Sequence, residues 1–181
     1  MPRDFAQLSK FLSKYLRHAP HELGLTLQAG GWVSVDDLLA SSAKIGFPIT
    51  YDDLATCVET NDKQRFAFDD TGDLIRANQG HSVTVDLQLE EQPPPLELFH
   101  GTVARFLDAI FAEGLKKGRR HHVHLSRDEA TARKVGARRG VPIILQVDSG
   151  AMSAAGFRFF QSANGVWLTD VVPAEYLSRL E

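Results

Sequence analysis

The chain has 181 residues, 43% hydrophobic and 24% charged, with a net charge of −3 and one cysteine, Cys57. These proportions are ordinary for a folded globular protein and too apolar for a disordered one. A single cysteine excludes an intramolecular disulfide, and the longest apolar runs are too short to span a bilayer. The start Met1-Pro2-Arg3-Asp4-Phe5 leads into an amphipathic pattern without a signal-peptide core, so a cytoplasmic protein, monomeric by default, is expected.

The first helix is predicted from about Asp4 to His18, because Phe5, Leu8, Phe11, Leu12, Tyr15 and Leu16 recur at helical spacing. Asp4 is the expected N-cap and Pro20 forces the exit. Ser34-Val35-Asp36-Asp37 and Thr50-Tyr51-Asp52-Asp53 resemble capping boxes with Asp in place of Glu, each opening a short helix. The period then changes: Phe66 and Phe68 alternate, Asp70-Thr71-Gly72 turns, and Leu74-Ile75-Arg76 returns. A further strand is expected over Ser82–Leu89. Three helices followed by a hairpin is the order of a winged-helix module.

Pro93-Pro94-Pro95 favours a stiff, extended connector, so two lobes are expected, 1–92 and 96–181. The second lobe is predicted to be mostly β. It opens with a strand at Leu96–His100 and a helix over Val103–Ala112 with Phe106, Ile110 and Phe111 on its buried face. A strand at His122–Ser126 and a helix from Asp128 to Val135, capped near Ser126, follow. Strands at Pro142–Val147, Phe157–Phe160 and Val166–Leu168 complete it, with a hairpin turn at Asn164-Gly165. The fold class is therefore α+β.

Charge is unevenly spread. Residues 1–95 carry 8 Lys/Arg against 14 Asp/Glu, and residues 96–181 carry 12 against 9. Within 116–139, nine basic residues face only Asp128 and Glu129, which reads either as a solvated face or as an anion-binding patch. GxGxxG, GxxxxGK[ST], CxxC and HExxH signatures are missing. On a strand, His122 and His124 share one face and His121 the other, and no Asp, Glu or Cys nearby in sequence completes a metal site, so no metal is expected.

Four segments remain that are rich in Arg, His, Gly, Asn and Ser. Arg17-His18 places a fixed cation beside a group that titrates near neutrality at a helix end, although basic residues there also complement the helix dipole. Asn78-Gln79-Gly80-His81-Ser82 follows a strand, as a shaped ligand loop would. In His100-Gly101-Thr102, glycine permits close backbone approach while His and Thr supply hydrogen bonds. Arg120-His121-His122-Val123-His124-Leu125-Ser126 is the fourth. These segments are expected to meet around a phosphate and a second anionic ligand.

Taken in order, Ser9-Lys10-Phe11-Leu12-Ser13 with Leu16-Arg17-His18, Gly31-Trp32-Val33, Ile75-Arg76-Ala77-Asn78-Gln79-Gly80-His81-Ser82, Phe99-His100-Gly101-Thr102, Arg120 to Ser126, and Asn164-Gly165-Val166-Trp167-Leu168 closely resemble the RNA 2'-phosphotransferase family. The similarity runs from about Gln7 to Tyr176. It implies a winged-helix first lobe, an ADP-ribosyltransferase-like second lobe, and an enzyme that uses NAD as co-substrate to remove an internal 2'-phosphate of the kind left at tRNA splice junctions. The family's catalytic quartet falls on Arg17, His18, Arg76 and Arg120. His100, Gly101, Thr102, His122, Ser126, Asn164 and Val166 match its NAD-binding positions, with Val166 where many ADP-ribosyltransferases carry a catalytic glutamate. Asn78, Gln79 and His81, with Lys116 and Lys117, are the candidates for RNA contact. Leu74, often basic in the family, and Gly118, commonly larger and apolar there, are departures. Two other readings compete: a transferase that ADP-ribosylates terminal phosphates of nucleic acid and stops there, and a non-catalytic winged-helix nucleic-acid binder, against which the acidity of the first lobe counts.

Overall fold

Apolar residues three and four apart give α1 (Phe5–Arg17) one buried face, with Leu8, Leu12 and Leu16 wholly inaccessible in the computed structural model, which describes residues 3–180. Asp4 is the N-cap, its carboxylate accepting from the Gln7 N–H at 3.0 Å. Ser34 caps α2 (Val35–Lys44) by accepting from the Asp37 N–H. At α3 (Tyr51–Thr60) the box is complete, with Thr50 Oγ1 accepting from Asp53 N and Asp53 Oδ2 from Thr50 N. The chain folds as α+β, with small antiparallel sheets, in two compact units, Met1–Leu89 and Glu90–Glu181.

In the first unit β1 (Val33–Ser34), β2 (Phe66–Phe68) and β3 (Leu74–Ala77) form a sheet in the order β1-β3-β2. Ile75 and Ala77 turn into the core with Leu12, Leu16, Leu38, Leu54 and Phe66, so Arg76, on the alternate face of β3, does not. Cys57 is buried in the same core, and that burial pushes its thiol pKa up, Arg65 opposing weakly. The strand expected over Ser82–Leu89 does not form. Its backbone groups are spent on loops instead: the Ser82 N–H donates to Arg17 O, Asp86 O accepts from Gly30 N, and Gln88 adopts a φ of 53° while its N–H bonds Asp86 Oδ1.

The second unit opens with β4 (Leu98–Thr102), then α4 (Leu107–Glu113), β5 (Leu115–Lys116), β6 (Val123–Leu125) and α5 (Glu129–Gly136). After these come β7 (Ile143–Val147), α6 (Ser149–Ala154), β8 (Phe159–Gln161), β9 (Trp167–Thr169), β10 (Val171–Val172) and β11 (Leu177–Arg179). Two three-stranded sheets, β11-β7-β4 and β6-β9-β8, are joined where Phe99 and Ser126 exchange backbone hydrogen bonds at 2.8 Å. Upstream of the prolines, Glu91 already bridges Phe160 and the Gln92 N–H donates to Phe159 O.

Several expectations shift here. Phe111 is 40% exposed: Ile110 packs on the core, and the next residue of α4, which starts at Leu107 after a 3₁₀ turn, lies about 100° round the helix from it. The cap of α5 is Asp128, whose carboxylate takes the Thr131 N–H and hydroxyl, and not Ser126, whose backbone is engaged with β4. Strands β8 and β9 begin one or two residues later than predicted, leaving Val166 in the turn, where Gly165 has a φ of 83°. The pieces α6, β5, β10 and β11 were not expected; they are two to six residues long, too short to show a period.

The tightest contact in this unit joins β4 to α5. A Cβ on Gly101 would overlap the Ala132 carbonyl and stand 2.8 Å from the Gly136 nitrogen, and one on Gly136 would lie 3.1 Å from Gly101 C. Glycine at 101 thus admits a helix backbone. Since these are main-chain atoms that cannot rotate away, Gly101→Ala is expected to destabilise the second unit by about 2–3 kcal/mol, read as a lower midpoint in urea unfolding monitored by circular dichroism; an unchanged midpoint would contradict the close packing.

Candidate active site

Arg17 ends α1 and His18 is its C-cap, with φ −122° and its N–H donating to Lys14 O. A helix end leaves carbonyls without intrahelical donors. Here Arg17 O accepts the Ser82 N–H at 2.9 Å and the Val83 N–H at 3.5 Å, so a segment 65 residues downstream completes the cap. The same loop meets both side chains. His18 Nδ1 and Ser82 Oγ are 2.9 Å apart and hydrogen-bonded, and a Cβ on Gly80 (φ 87°) would lie 3.6 Å from the Arg17 guanidinium. Arg17 also lies over the Phe66 ring, with Cζ 5.8 Å from its centroid.

Arg76 stands on the strand that feeds this loop. Its guanidinium lies over the Trp32 indole, Cζ 4.4 Å from the ring centroid, and Nη1 donates to Gly30 O at 3.3 Å. Nε is buried without a hydrogen bond, and burial lowers the guanidinium pKa. Among the described residues, no carboxylate forms a salt bridge with Arg76. Next along, Asn78 is buried, donating from Nδ2 to Gln64 O at 2.6 Å while Oδ1 is unpartnered; Gln79 Oε1 is likewise buried and unpartnered. His81 is 1% exposed and packs at the Gly31 turn, where a Cβ would come 3.3 Å from its Nε2.

The second unit gathers His100, Arg120, His122 and His124. His100 Nδ1–H donates to His124 O at 3.2 Å, and Arg120 Nη1 donates to His124 Nδ1 at 3.2 Å. Burial, aided by Arg139 and Arg120, holds the His100 pKa below its usual range against the opposing His124 carbonyl. His122 is lowered too, by burial first, with its ring 5.6 Å from that of Phe160. The surrounding protein, then Arg139 and Arg138, lower the pKa of Arg120. An imidazole with a lowered pKa beside Arg120 and Arg139 is suited to a ligand with several negative charges. Thr102 is buried, and Ser126 contributes its backbone to the Phe99 bridge. Ser162 Oγ donates to Asn164 Oδ1 and accepts from Val166 N at 3.1 Å, which fixes the turn bearing those two residues. Lys116 pairs with Glu113, and Lys117 approaches Asp170 at 3.8 Å, so acidic neighbours already meet both exposed lysines. Among the described residues no three His, Cys, Asp or Glu side chains form a metal-binding group.

Within the first unit, then, Arg17, His18 and the 78–82 loop are brought together, with Arg76 leading into that loop; within the second, His100 and Arg120 converge on His124. Trp32, Ser82, Arg138 and Arg139 were not singled out as site residues. Trp32 and Ser82 lay inside recognisable motifs, and the two arginines inside the basic stretch, but their contacts are all long-range and leave no periodic signal.

Comparison with known proteins extends these observations. A family model described as RNA 2'-phosphotransferase, Tpt1 / KptA family, matches residues 3–171. The chain is 56% identical over 174 residues to a probable RNA 2'-phosphotransferase of Nostoc punctiforme, covering 96% of each chain. It is 53% identical to one of Streptomyces griseus, over 97% of this chain and 96% of that one. A third, of Hahella chejuensis, is 51% identical across 100% of this chain and 97% of its own.

The lowered imidazoles carry a sign. Below about pH 6.5 the unfolded chain takes up protons on its histidines that the folded second unit still refuses, so stability is full above that pH and declines as pH falls toward the folded pKa values. His100→Gln is expected to flatten the acid side of a plot of urea midpoint against pH between about 7 and 5; an identical slope would remove His100 as a source.

Proposed function

The chain belongs to the RNA 2'-phosphotransferase family, and from that premise we propose that it removes an internal 2'-phosphate from RNA by transferring it to NAD. A 2'-phosphate oxygen bonds to C1″ of the NAD ribose as the C1″–N bond breaks, and that electron pair leaves with nicotinamide. The adjacent O2″ then attacks phosphorus and loses its proton, while the P–O2' bond breaks and O2' gains one. The products are RNA with a free 2'-OH, ADP-ribose 1″,2″-cyclic phosphate and nicotinamide.

The observation that carries this reading is Arg76, a half-buried guanidinium with an unbonded Nε and, among the described residues, no carboxylate bridged to it. A cation withdrawn from water without a counterion is costly, and an incoming phosphate dianion removes that cost while gaining charge-assisted hydrogen bonds. Arg17 and Arg120 serve as further guanidiniums for the phosphate, whose charge grows at the pentacoordinate stage. His18, engaged with Ser82 through Nδ1, is the group for handling the proton that O2″ gives up or O2' receives. Asn78, Gln79 and His81, with Lys116 and Lys117, are assigned to the RNA. For NAD, the donor set fits an anionic dinucleotide: His100 held neutral beside Arg120 and Arg139, with Gly101, Thr102, His122, Ser126, Asn164 and Val166 along neighbouring strands and turns. An apolar Val166 is consistent with a phosphate nucleophile, which needs no carboxylate base and would be repelled by one.

On the same reading the first lobe, 1–92, is a winged helix. The order α1, β1, α2, α3 and then the hairpin β2–β3, with β1 paired to β3, supports that assignment. The second lobe, 96–181, is ADP-ribosyltransferase-like, with residues 93–95 as linker.

Incubation with NAD and an oligoribonucleotide bearing one internal 2'-phosphate, in the presence of EDTA, should release nicotinamide and yield 2'-OH RNA. Absence of nicotinamide release would refute both NAD-dependent readings, and a stable ADP-ribosylated RNA would favour transfer that stops after the first step. Arg76→Ala is expected to lower kcat/KM by on the order of 10²–10³, and Arg120→Ala to slow the second step at least as much as the first; wild-type turnover in either would exclude that arginine from the site.

A further inference from the structure

Among the described residues, a ring face and a carbonyl position Arg76, with no salt bridge to a carboxylate. The indole of Trp32 lies under the guanidinium at 4.4 Å, a distance at which the ring quadrupole attracts a cation, and Gly30 O accepts from Nη1 at its edge. Three local features put the indole there. Gly30 and Gly31 both have positive φ, 82° and 79°, a conformation side-chain-bearing residues rarely adopt. A Cβ on Gly30 would stand 3.0 Å from Trp32 Cδ1 and Nε1, so the ring occupies space that only glycine leaves open. The turn itself is pinned by Gly30 N–H to Asp86 O at 2.7 Å, Gly31 N–H to Gln28 O at 2.8 Å and Gln28 N–H to Trp32 O at 2.8 Å.

We propose that Trp32 is a positioning residue: its indole face, held by the Gly30-Gly31 turn, orients the Arg76 guanidinium for the 2'-phosphate. This rests on the function proposed above. One guanidinium face is stacked and Nη1 is committed to Gly30 O, while the buried Nε has no hydrogen bond within the chain. A planar cation restricted to one plane loses little freedom when the phosphate arrives, so the effect of Trp32 falls on the phosphate-dependent part of binding and turnover, not on general affinity for RNA. An aliphatic side chain of similar bulk fills the space without the electrostatic face, whereas phenylalanine retains one.

The test compares wild type, Trp32→Leu and Trp32→Phe on matched oligoribonucleotides with a 2'-phosphate or a 2'-OH at one position, with thermal unfolding recorded for each protein. Trp32→Leu is expected to fold and to lose roughly five- to ten-fold in kcat/KM, with Trp32→Phe restoring most of it. Binding of the 2'-OH oligonucleotide should be unchanged in all three. A second readout needs no variant that impairs folding: indole emission of the wild type should change on titration with the phosphorylated oligonucleotide and not with its 2'-OH counterpart, and Trp32→Phe should abolish that change. Equal kcat/KM for wild type and Trp32→Leu would overturn the proposal while leaving the phosphotransferase reading intact. Equal loss of affinity for both oligonucleotides would also overturn it, since Trp32 would then act by stacking on a base. A wild type that neither turns over nor distinguishes the two oligonucleotides would overturn the proposal and the function beneath it together.

Discussion

The end of α1 cannot satisfy its own carbonyls, and this chain answers that requirement from far away in sequence. Ser82 and Val83 supply the donors that Arg17 O lacks, and in doing so they bring the 78–82 loop onto the helix terminus. A capping interaction of this kind contributes on the order of 1 kcal/mol, yet its positional consequence is larger than its energy. Once the loop is tied down, Ser82 is within hydrogen-bonding distance of His18 and Gly80 passes beside the Arg17 guanidinium. The strand upstream delivers Arg76, whose side chain points away from the core because Ile75 and Ala77 point into it. Structural necessity and site assembly are here the same set of bonds.

In the second unit the organising constraint is steric. Gly101 and Gly136 let the backbones of β4 and α5 touch, and that proximity sets the position of the strand carrying His100 and Thr102. Hydrogen bonding through His124 then links His100 to Arg120. Burial lowers the pKa of both His100 and His122, aided at His100 by Arg139 and Arg120, whose guanidiniums do not titrate near neutrality.

Much of this was legible from the residues alone, and for identifiable reasons. Helices α1, α2 and α3 announce themselves through period and caps, each written within about a turn of chain. The hairpin β2–β3 has its alternation and its turn residues side by side. The strand expected at 82–89 failed because alternating Val83, Val85 and Leu87 mimic a strand while the backbone is claimed by α1 and the Gly30 turn, which no local pattern reveals. Phe111 was misplaced because it follows Ile110 directly in α4, and consecutive helical positions lie about 100° apart, so only one of the two faces the core. Among candidate site residues, those inside ordered motifs could be named from the sequence, whereas Trp32 and Ser82 meet Arg76 and His18 from 44 and 64 residues away in the sequence. Gly101 was recognised as a close-approach glycine, but what approaches it in the structure is the backbone of α5.

Cys57 brings a different consequence. It is the only thiol in the chain, and it lies in the core of the first unit with its ionisation suppressed by burial. The thiolate is the reactive species, so a reagent in solution meets it only when that core opens. Its labelling rate therefore reports the opening equilibrium of the first unit alone, with no engineered probe and no contribution from the second. The chain carries its own clock for the breathing of the unit that holds Arg17, His18 and Arg76.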